Sequence, residues 1–126
     1  MFKFIRNFFL LFILTVPSAF AVGDAFDQTR FNQLLKEGKP VLISIHADWC
    51  ATCRTQEAFL KDLLKTPPYN TLQVLRVDFD KQKAAVRAFR AKWQSTLIVF
   101  KNGKEIDRST ADTDKDSVAL MLRKAL

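Results

Sequence analysis

The chain has 126 residues, a formal charge of +7 from 20 Lys and Arg against 13 Asp and Glu, and 48% hydrophobic against 26% charged residues. That is the length of one domain and the composition of a packed core rather than a disordered chain. Three Gly and four Pro exclude collagen-like and low-complexity architecture, and two Cys exclude a disulfide-scaffolded mini-protein.

Residues 1–21 read as an address. Lys3 and Arg6 precede any acid, an apolar run follows from Phe8 to Val16, and Ala19-Phe20-Ala21 supplies small residues at a cleavage spacing. This predicts a secretory signal peptide removed after Ala21. The alternative is a membrane anchor formed by an uncleaved segment. Against it, the apolar run falls well short of the roughly 20 residues a spanning helix needs, and Pro17 interrupts it. Removal takes the charge from +7 to +5, because Lys3 and Arg6 leave with the segment. Export, to a periplasm in the simplest case, brings thiols into an oxidising compartment. The remaining basic residues are scattered without aromatic interleaving, so nucleic acid is not an expected partner.

Asp24 to Gly38 carries Phe26, Phe31, Leu34 and Leu35 at helical spacing, with Gly38 as the stop. Val41-Leu42-Ile43-Ser44-Ile45 predicts a strand buried on both faces. Cys50 to Lys65 predicts a helix, ended by Thr66-Pro67-Pro68-Tyr69-Asn70. Leu72 to Phe79 is a second strand, and Lys81 to Trp93 a helix with Ala85, Val86 and Phe89 inward. Thr96 to Phe100 is a third strand. Asn102-Gly103 then predicts a hairpin, because both central residues of that turn need positive φ, and Glu105 to Arg108 is the return strand. Asp112 to Asp116 offers caps for a last helix, Val118 to Leu126. Strands joined through a helix run parallel with a right-handed crossover. The expected fold class is α/β, a three-layer α/β/α domain over residues 22–126 with a mixed, mostly four-stranded sheet.

Both cysteines lie in Trp49-Cys50-Ala51-Thr52-Cys53, where a buried strand passes into a helix. Unpaired amides and the positive dipole end of a helix start favour a thiolate there. Two intervening residues let the second thiol attack a mixed disulfide on the first. This predicts Cys50 exposed and attacking, Cys53 one turn in and resolving, and a redox-active 50–53 disulfide. A structural role is weaker, because so short a loop removes little unfolded-state entropy. A metal clip with His46 is the remaining alternative.

Ala47-Asp48-Trp49-Cys50-Ala51-Thr52-Cys53, the strand end Val77-Asp78-Phe79-Asp80 and the run from Ser95 to Gly103 resemble the thioredoxin superfamily, from about Phe26 to Leu126. The Ala-Asp-Trp-Cys wording is most similar to its periplasmic reductase branch, including the C-terminal domain of the thiol:disulfide interchange protein. The resemblance implies a thioredoxin fold trimmed of the family's first strand, and reversible dithiol–disulfide exchange with protein substrates.

Several positions depart from the family pattern. Ser44 stands where the family commonly has a buried acid that helps move protons, and a hydroxyl is no base at neutral pH. His46 points to the same strand face and either tunes the thiol, relays a proton or fills an aromatic niche. Ser95, after Gln94, replaces the family's cis-proline beside the cysteines, and a cis bond before a non-proline residue costs about 3 kcal/mol, so Gln94–Ser95 is expected trans. Ala111 stands where Gly is common. Arg76 replaces the usual Lys and should lie near Ser44, and Trp49 should line a groove and exclude water from the sulfurs.

The expectation is an exported, monomeric thiol-disulfide oxidoreductase that reduces disulfides of protein substrates and is recharged by a membrane-bound electron donor. The same residues would serve a dithiol oxidase or isomerase running in the opposite direction. A thiolate-based copper(I) chaperone is the reading from another class, and a binding module with vestigial cysteines is a third. The sequence holds no Gly-x-Gly-x-x-Gly or Walker-type loop, so no cofactor is expected, and no bound metal in the catalytic reading.

Overall fold

The structure, a computed structural model, describes residues 22–126. The expected leader, 1–21, lies outside the described residues. In chain order the elements are β1 (Asp24–Ala25), α1 (Gln28–Lys36), β2 (Val41–His46), α2 (Ala51–Leu63), a 3-10 turn (Tyr69–Thr71), β3 (Gln73–Asp78), α3 (Lys83–Ala88), β4 (Thr96–Lys101), β5 (Lys104–Thr110) and α4 (Lys115–Arg123). The sheet order is β1-β3-β2-β4-β5, with β1, β3 and β2 parallel and β4 and β5 antiparallel. All six residues of the central strand β2 are buried.

Local chemistry sets the element ends. The Asp27 carboxylate accepts the Arg30 amide at 2.9 Å and starts α1. Gly38, at φ +67, ends it, with the Lys39 amide returning to the Leu34 carbonyl. Asp114 caps α4 by accepting the Ser117 amide at 2.8 Å. Asn102 (φ 51) and Gly103 (φ 78) form the expected hairpin turn.

Alternate residues of the strands feed two separate cores. On the α2–α4 side, Leu42, Leu97 and Val99 meet Leu60, Val118 and Leu122. On the α1–α3 side, Ile43, Ile45 and Ile98 meet Leu34, Val86 and four phenylalanines. Phe26, Phe31, Phe89 and Phe100 stack tilted or edge to face, with centroids 5.1 to 6.1 Å apart.

The α/β class and layer order are as expected, with three differences. The sheet has five strands, because the first strand is present as the two-residue β1. The first helix begins at Gln28 rather than Asp24. Phe26 donates its amide to the Arg76 carbonyl at 2.8 Å and so extends the sheet edge, while its ring joins the aromatic core. The third helix ends at Ala88 rather than Trp93. Arg90 takes φ 56, and the Ala91 amide closes back on the Val86 carbonyl, the same terminating geometry that Gly38 gives α1.

Candidate active site

Cys50 is the N-cap of α2, and its sulfur accepts the Cys53 amide at 3.1 Å. The Cys50 amide in turn donates to the Ala47 carbonyl, closing the turn that leads out of β2. Both cysteines are free thiols. Cys50 is 4% exposed, not open to solvent as the sequence predicts, because Ala47, Cys53 and Phe79 pack around it. Burial, helped by the hydrogen bond with the Cys50 sulfur, pushes the Cys53 thiol up to about 12, against backbone amides of Ala47 and Ser95 that pull it down. Trp49, like Ala51, is exposed, and its indole N–H donates to Asp80 at 2.7 Å.

Ser44 and Arg76 are register partners on β2 and β3, as expected. His46, two residues on, is buried and belongs to a charged cluster. Its Nε2 stands 3.0 Å from Asp48 Oδ1, and its Nδ1 stands 3.3 Å from Glu57 Oε1. Arg76 reaches the same two carboxylates, at 3.3 Å each. A cleft lined by His46, Asp48, Arg76, Asp78 and Gln82 opens beside the cluster. Among the described residues, no three His, Cys, Asp or Glu side chains gather as a metal site.

The α3–β4 loop brings Ser95 to the dithiol. Its φ is 59, and its amide donates to the Ile45 carbonyl at 2.7 Å, carrying the β2–β4 ladder one step further. Its hydroxyl donates to the carbonyl of the half-buried Gln94. Its carbonyl accepts from Ala111 at 3.0 Å and from Gln56 Nε2 at 3.2 Å. Gln56, 2% exposed, also donates to Asp112 at 2.9 Å, so one α2 side chain ties both loops beside the cysteines. Sequence reasoning missed Gln56, Glu57 and Asp48. The only signal for the first two was their place one turn after Cys53.

A family model described as Thioredoxin matches residues 23–124. The chain belongs to the thioredoxin family. A thioredoxin from Chlamydia muridarum is 36% identical over 97 residues, covering 77% of this chain and 92% of the relative. The thioredoxin of Chlamydia trachomatis serovar D is similar to the same extent. The crystal structure of Trxlp from Edwardsiella tarda EIB202 superposes with a TM-score of 0.77 at 39% identity, over 80% of this chain and 98% of that one. Thioredoxin from Malassezia sympodialis, at 23% identity and a TM-score of 0.70, shares the fold. The Chlamydia and Malassezia relatives carry the plain name thioredoxin, not that of the periplasmic reductase branch. As a member of the thioredoxin family, the protein is a thiol-disulfide oxidoreductase that acts on protein disulfides. In this member the peptide before Ser95 is trans, since Pro67–Pro68 is the one cis bond among the described residues. Ser95 supplies the Ile45 hydrogen bond that a proline there could not make.

Proposed function

We propose that this thioredoxin-family protein is exported to a periplasm, loses residues 1–21, and works there as a monomeric reductase of protein disulfides. The observation that carries the reading is the pairing of two thiols at one helix start, with the Cys53 amide on the Cys50 sulfur. Cys50 is the nucleophile: its thiolate attacks a substrate disulfide, a Cys50–substrate bond forms, and the first substrate sulfur leaves and takes a proton. The Cys53 thiolate then attacks the Cys50 sulfur. The 50–53 bridge forms, and the second substrate sulfur leaves as a thiolate that is protonated. Two electrons pass from the dithiol to the substrate, and a membrane-bound donor returns them. Trp49, Gln94 and Ser95 shape the substrate groove, and Ser44, His46 and Arg76 form the polar ground behind the dithiol. Export rests on Lys3, Arg6, the apolar run and Ala19-Phe20-Ala21. The kinship with the periplasmic reductase branch rests on Ala47-Asp48-Trp49-Cys50.

The test is the reduction potential of the 50–53 pair, by equilibration with glutathione or dithiothreitol and mass-spectrometric trapping of residues 22–126. A value near about −270 mV, the scale of cytosolic thioredoxin, is expected. A value near about −120 mV, the scale of a strong periplasmic oxidant, reverses the direction. A pair that never exchanges overturns the roles given to Cys50 and Cys53.

A further inference from the structure

The basic residues are spread along the chain, but their balance against acids is uneven. Lys81, Lys83, Arg87, Arg90 and Lys92 follow one another with no acid among them. The rest of residues 22–126 carries thirteen cations and thirteen acids, so the whole +5 of the domain sits in this one stretch. All five side chains are exposed. Among the described residues none of the five is in an ion pair, whereas Arg76, Arg108 and Lys124 elsewhere in the domain each hold a carboxylate.

The fold ties this stretch to the dithiol at both ends. Asp80, just before Lys81, accepts the Trp49 indole N–H at 2.7 Å, and Trp49 adjoins Cys50. Ser95, just beyond Lys92, accepts Gln56 Nε2 at 3.2 Å, and Gln56 lies one turn after Cys53. Between the ties, Lys83 and Arg87 share one face of α3, and Arg90 and Lys92 lie on the way back. The acids that adjoin the stretch are already engaged. Asp78 accepts the amides of Asp80 and Lys81, Asp80 holds Trp49, and Glu105 is held by Arg108, which also donates to the Phe89 carbonyl.

One cation in the last turn of a helix follows from the dipole, and Arg87 fills that place. Five unpaired like charges do not follow from it, because they repel one another. Trp93 ends the stretch with an indole 65% exposed. Tryptophan and arginine are enriched where proteins meet proteins. A membrane is the poorer match: Val86 and Phe89, the apolar residues of this stretch, are spent in the core and leave nothing to insert.

We propose that Lys81 to Lys92 form a docking strip for an acidic segment of the protein substrate, which the strip brings alongside Cys50. This rests on the reading of the protein as a reductase of protein disulfides, and it names the class of substrate: a polypeptide with aspartates or glutamates flanking its disulfide. The strip acts on capture. It raises the rate at which an acidic partner meets the dithiol and leaves the thiol chemistry as it is. Salt screens it, because the cations stand in water.

The experiment mixes the reduced protein, in excess, with three peptides that share one internal disulfide, flanked by glutamates, by serines or by lysines. Second-order rates of reduction are read by acid quench and mass spectrometry, each relative to the serine peptide. At about 20 mM salt the glutamate peptide should react about tenfold faster than the lysine peptide, or more. At about 0.5 M salt, where the screening length is about 4 Å, the two should agree within about twofold. Lys83→Gln, Arg87→Gln and Arg90→Asn combined should remove most of the low-salt preference; asparagine tolerates the left-handed backbone at that last position. Equal rates for the three peptides overturn the proposal and leave the reductase reading standing. So does a preference that the combined variant keeps, or one that high salt does not erase. Sedimentation of the parent with phosphatidylglycerol vesicles, without discrimination among the peptides, assigns the strip to a lipid surface and overturns the proposal too. A parent that reduces none of the peptides overturns the reading of the dithiol itself. If the variant loses its circular-dichroism spectrum, the salt series on the parent decides alone.

Discussion

Gln56→Leu keeps the bulk of a side chain that is 2% exposed and removes its two hydrogen bonds, to Ser95 at 3.2 Å and to Asp112 at 2.9 Å. A buried acceptor left unpaired costs about 1–3 kcal/mol. The Ser95 carbonyl keeps the Ala111 amide at 3.0 Å, so its loss falls at the low end. The two losses together come to about 2 kcal/mol. For a domain of this size, 1 kcal/mol moves Tm by about 4–8 °C, so thermal unfolding of the reduced protein should shift down by about 10 °C. Gln56→Glu sharpens the test. An ionised carboxylate cannot donate and would face two carbonyl oxygens, so at neutral pH this variant should be less stable than Gln56→Leu. Protonation in acid restores one donor, and the gap should narrow there. A Gln56→Leu protein whose Tm lies within about 2 °C of the parent would refute the claim that this side chain holds the two loops.

Ala111 sits at φ 59, in the left-handed region that favours glycine. Ala111→Gly should raise the urea midpoint by the equivalent of about 0.5–1 kcal/mol, after the entropy cost of glycine is set against the released strain; a clear loss of stability would contradict this. The alkaline limb of stability should belong to Cys53. Its thiol titrates at an ordinary 9.0 when unfolded and about 12 when folded, so between those values the unfolded chain has lost the proton that the native state keeps. Stability is then intact below the unfolded value and falls as pH rises through the window, by at most about 1.4 kcal/mol per pH unit. Urea unfolding of the reduced protein at about pH 8 and about pH 10 should show the fall, and Cys53→Ala should not; equal slopes would count against the assignment.

Much of the fold was legible because its parts announce themselves in one residue type. Val41 to Ile45 is apolar enough to be central, Asn102-Gly103 permits few other turns, and Gly38 marks the end of α1. The errors fall where backbone geometry outranks residue type. Arg90 adopts the left-handed cap that glycine usually fills, so nothing in the sequence marks the end of α3. A two-residue strand such as β1 is too short to show a period. The dithiol was legible from spacing, but the cover over Cys50 was not, since it comes from Phe79, 29 positions along the chain. Gln56 and Glu57 were passed over because a polar pair on a helix normally faces water. Here the Ser95 loop covers the first, and His46 and Arg76 from the sheet cover the second.

The alternation along β2 has a consequence for how the strand finds its place. Leu42, Ser44 and His46 face one layer, while Val41, Ile43 and Ile45 face the other. A shift by one residue would carry the imidazole and the hydroxyl into the phenylalanine layer, where no polar partner waits for them, and would set isoleucines against Glu57 and Arg76. An all-aliphatic strand in the same position would slide with far less penalty. The polar residues thus act as alignment marks during folding, and a variant that greased them away could gain thermal stability while losing the single pairing that keeps the two thiols at the mouth of α2.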